Sequence, residues 1–232
     1  MFFSPLCAVV PANAKTASEN NLERPKGPQK EESMPRIILA SQSPRRKQLL
    51  SQIGIKNFEI LVPGGEESYD PSLSPEEIVS SICRKKGESA RTLAGDPSAI
   101  IITADTMVFL DGLRLGKPRS REEAFSMLSA LSGKTHHVCT GVTVSQGNRM
   151  ETRAETTAVT FRPLTDTEKW AYIRTGEPFD KAGAYGVQGP AALFIPRVEG
   201  DYFNVMGLPL ALLGEMLAGF GVKLFSDEEE LH

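Results

Sequence analysis

The chain has 232 residues, 40% of them hydrophobic and 24% charged, the make-up of an ordinary globular protein long enough for one sizeable core. Its formal net charge of -3 excludes a global attraction to nucleic acid or to an anionic membrane, so any anion site must come from a few placed cations. Cys7, Cys83 and Cys139 form no C-x-x-C pair, which speaks against a disulfide framework or zinc ribbon, and no segment approaches the roughly 18 apolar residues of a membrane span.

Residues 1–33 read as an extension outside the fold. Residues 2–10 are mildly apolar and Ala12-Asn13-Ala14 has the small residues of a cleavage site, but there is no basic leader, and Pro5 and Pro11 interrupt the run. Residues 15–33 are polar and read as disorder. A weak targeting segment and a start at Met34 both fit, and inert thiols in a reducing cytoplasm are the expectation.

The fold opens with a near-continuous apolar strand over 36–40. A helix follows, with Ser43 as N-cap, Pro44 at its first position, Leu49, Leu50 and Ile53 toward the core, and Gly54 as stop. A second strand covers 58–62. Ser74-Pro75-Glu76-Glu77 is a capping box for a helix to about Arg91. Residues 99–110 form a long strand ending in the Asp111-Gly112 turn, and Ser120-Arg121-Glu122-Glu123 caps a helix to Ser132-Gly133. Strands over 138–145 and 154–161 pair around Gly147-Asn148. Thr165-Asp166-Thr167-Glu168 caps a helix to Gly176, residues 191–203 read as strand-rich, and Pro209 opens a last helix before an acidic tail at 227–232. This irregular alternation predicts an α/β (mixed α+β) fold, an elongated mixed sheet flanked by helices, and not a doubly wound parallel one.

Four segments could carry chemistry. The first strand runs into Ser41-Gln42-Ser43-Pro44-Arg45-Arg46, where orphan amides at a helix start and two hydroxyls favour an anion. Arginines in a first helical turn oppose the helix dipole, a misfit that a bound phosphate would reverse; a capped surface helix with solvated arginines fits the spacing equally well. Asp105 lies in the longest apolar run, where a charged carboxylate costs several kcal/mol unless paired or metal-bound. With Glu66-Glu67 it offers hard oxygen ligands suited to Mg²⁺ or Mn²⁺. Leu115-Gly116-Lys117-Pro118 sets a lysine in a rigid turn. The glycine-rich run 180–189 either binds a ligand, with Tyr185 or Gln188 against a flat base, or is a surface loop. Gly133-Lys134-Thr135 fails as a P-loop because Leu128 stands where glycine is needed, and His136 and His137 would point to opposite faces of a strand.

Together these motifs, with Lys85-Lys86, Ala104-Asp105-Thr106 and residues 200–209, resemble the Maf family of nucleoside triphosphate pyrophosphatases in order and spacing from Arg36 to the last helix. The resemblance implies an inosine-triphosphatase-like fold with two lobes around a deep cleft, a domain over 34–226, and a homodimer. It also implies metal-dependent hydrolysis of dTTP and UTP between the α and β phosphates, with no nucleic-acid or membrane partner. Carried over by position, Ser41, Ser43, Arg45 and Arg46 would hold phosphate, while Lys86 and Lys117 would neutralise the triphosphate. Thr106 and Gln188 would touch substrate, Glu67 and Asp105 would hold the metal, and Asp105 would be the general base. Arg46, Lys117, Gln188 and Glu67 would share in catalysis. The same resemblance leaves open modified pyrimidine triphosphates, 7-methyl-GTP, or a nucleotide-binding regulator of septum formation without turnover. Gly64, where an acidic residue is common, and Gly87, where alanine is usual, depart from the pattern; the second is expected to affect helix propensity more than chemistry.

Overall fold

A computed structural model describes residues 35–64, 69–70 and 72–225. The expectations placed on residues 1–34, on Glu66 and Glu67, and on the acidic tail lie outside the described residues. The strand β1 (Ile37–Leu39) leads to the helix α1 (Pro44–Gln52) and back to β2 (Phe58–Ile60). The expected strand stops short of Leu61 and Val62 because β1, its parallel partner, ends at Leu39. Helix α2 (Pro75–Ala94) starts on a complete capping box: Glu77 N donates to Ser74 Oγ at 3.3 Å and Ser74 N donates to Glu77 Oε2 at 2.9 Å.

The long strand β3 (Ile100–Leu110) turns at Asp111 and Gly112, both with positive φ as a tight hairpin requires, into β4 (Leu113–Leu115). Only half of the second capping box forms before α3 (Arg121–Leu131). Ser120 accepts from Glu123 N, but the Glu123 carboxylate accepts from Arg119 N at 2.8 Å. The hairpin strands β5 (Thr135–Gln146) and β6 (Arg149–Thr160) are longer than expected, because cross-strand threonine pairs, Thr135 with Thr160 and Thr143 with Thr152, extend the ladder beyond the apolar alternation. Helix α4 (Asp166–Arg174) carries the complete Thr165–Glu168 box.

The strand-rich reading of 191–203 is corrected. Three 3₁₀ turns cover Glu177–Asp180, Ala182–Ala184 and Pro190–Phe194. Only β7 (Arg197–Glu199) is strand, and then Asp201 caps the short helix α5 (Tyr202–Met206), accepting from Phe203 N at 2.6 Å. Proline at the start of a 3₁₀ turn and an aspartate cap outweigh the β-branched and aromatic composition. Helix α6 (Leu210–Gly219) follows Pro209 as expected.

The sheet order is β2-β1-β3-β5-β6-β7 with β4 beside β3; β1 is parallel to β2 and β3, and the other pairings are antiparallel. The mixed sheet and the rejection of a doubly wound one both hold. Alternation along β3 sends Met107 and Phe109 toward Ile78, Val79 and Ile82 of α2. On the other face Ile100, Ile102 and Ala104 join the core of α1 and α6, and Val108 and Leu110 join that of α3 and α4. Helix α2 rides very close to the sheet. A Cβ on Gly141 of β5 would lie 2.7 Å from Val79 O, and one on Gly87 of α2 would lie 3.1 Å from the Thr143 methyl. Gly87 therefore serves helix–sheet packing, which its propensity cost alone did not reveal.

One feature of β3 positions the site. β5 occupies one edge of the strand from Ile101 to Phe109. The opposite edge is shared, with β1 pairing Ile100–Ile102 and β4 pairing Val108–Leu110. Among the described residues, 103–107 have no strand beside them on that edge.

Candidate active site

A cleft opens at this break. Its cavity of about 640 Å³ is lined by the turn into α1, Lys86 of α2, Asp105 and Thr106 of β3, the β4–α3 connection, the 180–188 loop and Gly207. It takes lining from both large cores, Val187 and Met206 from one, Val108 and Tyr185 from the other. Ser41, Ser43, Arg45, Arg46, Lys86, Asp105, Thr106, Lys117 and Gln188 all line it, so every expected site residue except Glu67, which lies outside the described residues, converges on one cleft.

The turn into α1 is held from within. Ser43 stands at the N-cap but its hydroxyl does not cap the helix, so the first-turn amides keep their capacity for an anion. Ser41 Oγ accepts from Ser43 N and from Arg46 Nη1, both at 3.2 Å. Arg46 also donates from Nε to Gly207 O at 2.8 Å and from Nη2 to Thr106 Oγ1 at 3.0 Å. It thereby ties α1, β3 and the end of α5 together. Thr106 Oγ1 is 3.0 Å from Thr140 Oγ1, which donates to Asn204 O at 3.1 Å. Buried Asn204 donates in turn to Val138 O and Thr157 Oγ1, both at 2.9 Å.

Asp105 is 7% exposed, and Lys86 Nζ donates to its Oδ1 at 2.6 Å. The sequence asked for a partner to this carboxylate, and α2 supplies one. The neighbouring Cys83 thiol is fully buried; burial first, and then the Asp105 charge, push it well above the usual thiol range, which makes it inert. Arg45 reaches across the mouth to Asp180, Nη1 to Oδ2 at 3.1 Å, and Lys181 pairs with the same carboxylate. Burial raises Asp180, but Lys181 and Arg45 outweigh it and hold it below the ordinary range.

The glycine-rich loop is a built structure, not a slack surface segment. Gly183 has φ +70, Ala184 adopts φ +62, and Gly183 N donates to Gly116 O at 3.0 Å, fastening the loop to the Lys117 turn. A Cβ at Gly189 would collide with the Glu177 carboxylate, which desolvation pushes upward. Tyr185 is buried, its hydroxyl 2.7 Å from His136 Nε2, while Lys117 and Gln188 are exposed. The expected separation of the two histidines holds, with His136 buried and His137 exposed. Burial, then the His137 charge, lower His136 to about 4.

Among the described residues no group of three or more His, Cys, Asp or Glu could hold a metal ion. The Asp105 carboxylate and the Ser43 hydroxyl are the hard oxygens left to a cation, since Ser41 Oγ accepts from Ser43 N and Arg46, and Thr106 Oγ1 accepts from Arg46. They suit a cation that takes one carboxylate and completes its shell with phosphate and water.

Sequence reading missed Arg114 as part of the cleft, and took Asp180 and Gly207 only as members of the longer runs 180–189 and 200–209, with no contact of their own. Gly207, at φ +112 after the Asp201-capped turn, carried a cap-and-stop signal; Arg114 carried only its alternation within the hairpin.

A family model described as Maf-like protein matches residues 36–220. A dTTP/UTP pyrophosphatase of Bacillus pumilus is 49% identical over 192 residues, 83% of this chain and 100% of the relative. One of Symbiobacterium thermophilum is 45% identical over 193 residues, 83% of this chain and 98% of the relative. The structure of the Staphylococcus aureus Ham1 protein aligns with 80% of this chain and 99% of its own, at 13% identity and a TM-score of 0.45.

Proposed function

Because the chain belongs to the Maf family, we infer that its cleft is the active site of a nucleoside triphosphate pyrophosphatase acting on dTTP and UTP. The observation that supports it most is the meeting of a helix-start anion grip, a lysine-paired carboxylate and further cations in one cavity. The reaction breaks the bond between the α phosphorus and the bridging oxygen. Water adds its oxygen to phosphorus, and the products are a nucleoside monophosphate and pyrophosphate.

The work of this chain is positioning and charge stabilisation. Ser43, Arg45 and the first-turn amides of α1 hold phosphate. Arg46, tied to Ser41, Thr106 and Gly207, fixes the grip against the floor and places positive charge beside the phosphate. Lys86 and Lys117 offset the charge that builds on the leaving pyrophosphate. Asp105 takes the proton of the attacking water at its carboxylate, and Gln188 closes over the nucleoside side. Asp105 would hold a Mg²⁺ or Mn²⁺ ion, with Glu67 as the further ligand its motif supplies. When bound, such an ion neutralises phosphate charge. On this reading the catalytic domain covers 34–226, with residues 1–33 an extension and 227–232 a tail, and the enzyme acts as a cytoplasmic homodimer.

The test is pyrophosphate release by the full chain with Mg²⁺ or Mn²⁺ across the common triphosphates. Faster turnover of dTTP and UTP than of ATP and GTP is expected. No turnover of any triphosphate with either metal sinks the reading.

A further inference from the structure

Arg114 is a cleft-lining cation that this division of labour leaves unused. It lies opposite Phe109 in the β3–β4 hairpin, so its side chain shares the sheet face of Asp105 and Phe109. Its guanidinium carbon stands 4.7 Å from the centroid of the Tyr69 ring. Stacking of this kind fixes the plane of the fork while leaving its N–H donors directed outward.

The other cations around the cleft are engaged. Arg45 and Lys181 are bound to Asp180, Lys86 to Asp105, and Arg46 to three oxygens of the fold. Among the described residues, Arg114 and Lys117 are the cleft-lining cations that make no hydrogen bond or ion pair, and both are exposed. They sit at the β4 side of the break, across the cleft from the α1 turn. The apolar wall formed by Val187, Met206 and Tyr185 suits a flat base and offers nothing to a polyanion. A triphosphate with its base on that wall meets uncommitted positive charge only toward β4.

We propose that Arg114, seated on Tyr69, is a substrate-binding residue that grips the pyrophosphate end of the triphosphate together with Lys117. The proposal rests on the pyrophosphatase reading above and adds a contact to it. Guanidinium and phosphate oxygens match bidentately, and the same contact would hold the pyrophosphate product before release.

The experiment compares the full-length wild type with Arg114→Gln and Arg114→Lys, using dTTP with Mg²⁺. Arg114→Gln should raise KM about tenfold, the effect of one lost charge-assisted hydrogen bond, and leave kcat within about threefold. It should weaken inhibition by inorganic pyrophosphate by a similar factor and leave inhibition by thymidine monophosphate unchanged. Arg114→Lys should recover part of the loss. Unchanged pyrophosphate inhibition, or equal weakening by both products, overturns the proposal. If the wild type turns over no triphosphate, the functional reading fails separately. Calorimetric binding of pyrophosphate to wild type and Arg114→Gln then decides the Arg114 contact by itself: weaker binding to the variant supports it, and equal or absent binding overturns it.

Discussion

Lys86 Nζ lies 2.6 Å from Asp105 Oδ1, joining helix α2 to the middle of β3 at the floor of the cleft. The pair is unequal in exposure, the Asp105 side chain at 10% and that of Lys86 at 25%. The lysine lets a charged carboxylate sit in an otherwise apolar strand, and the two partners should respond differently when the pair is broken.

Asp105→Asn should lower kcat by about 10²–10⁴-fold through loss of the proton acceptor. The lysine left behind is a quarter exposed and can reach water, so stability should fall by only about 1 kcal/mol. Lys86→Met strands the less exposed charge and should cost more, about 2–3 kcal/mol. Pyrophosphate release and urea unfolding measure the two effects. Substantial residual turnover by Asp105→Asn would remove it from the base role.

Gly207 combines φ +112 with a carbonyl that accepts from Arg46 Nε, and a Cβ there would sit 3.3 Å from Thr106 Oγ1. Gly207→Ala should cost about 1–3 kcal/mol from backbone strain. It should also raise KM for dTTP by loosening Arg46. A variant with normal melting and normal KM would show that Arg46 does not depend on this anchor.

His136 titrates at about 4 in the folded chain, against 6.5 for the free side chain. Between those values the unfolded chain binds the proton and the folded one does not. The stability from keeping His136 neutral is therefore present above pH 6.5 and lost as pH falls toward 4, by about 3 kcal/mol in full. His136→Gln, which keeps a hydrogen-bonding group for Tyr185 but does not titrate there, should flatten the profile. Urea unfolding of both proteins at pH 7 and pH 4.5 checks this, and parallel profiles would refute it.

Two glycines set how closely α2 rides on the sheet. Gly141→Ala drives a methyl to 2.7 Å from a backbone carbonyl oxygen and should destabilise by about 1–3 kcal/mol. Gly87→Ala meets side-chain atoms at 3.1 and 3.4 Å and gains about 1 kcal/mol of helix propensity, so its net effect should be smaller. Thermal melting of both variants ranks them, and the reverse order would contradict the packing account.

Much of the site could be read from the sequence because each member sits at a fixed place in a local signal. Ser43 and Pro44 mark a helix start, Asp105 is an anomaly in an apolar run, and Lys117 follows a turn. What could not be read depends on where distant segments meet. Nothing local says that Arg46 is tied to Gly207, 161 residues away, or that Arg45 reaches Asp180. The failure at 191–203 was local, since apolar and aromatic composition concealed the turn-forming roles of Pro190 and Asp201. The strands β5 and β6 were cut short because their added residues are mostly polar, and their threonine pairs and their Arg149 and Arg153 contacts to α6 form only once distant segments meet.

The divided edge of β3 makes the cleft an omission in a sheet. Six residue steps separate Ile102, the last partner of β1, from Val108, the first partner of β4, an aperture of about 20 Å at roughly 3.3 Å per residue. Its width is thus counted in strand residues and set by two termini that never touch each other. Were β1 to run two residues further, its ladder would cover Ala104 and consume Ser41 as a strand residue. The chain would gain backbone hydrogen bonds and lose the Ser41–Ser43 turn in the same step. The end of one strand at Leu39 keeps the cleft open as much as any side chain that lines it.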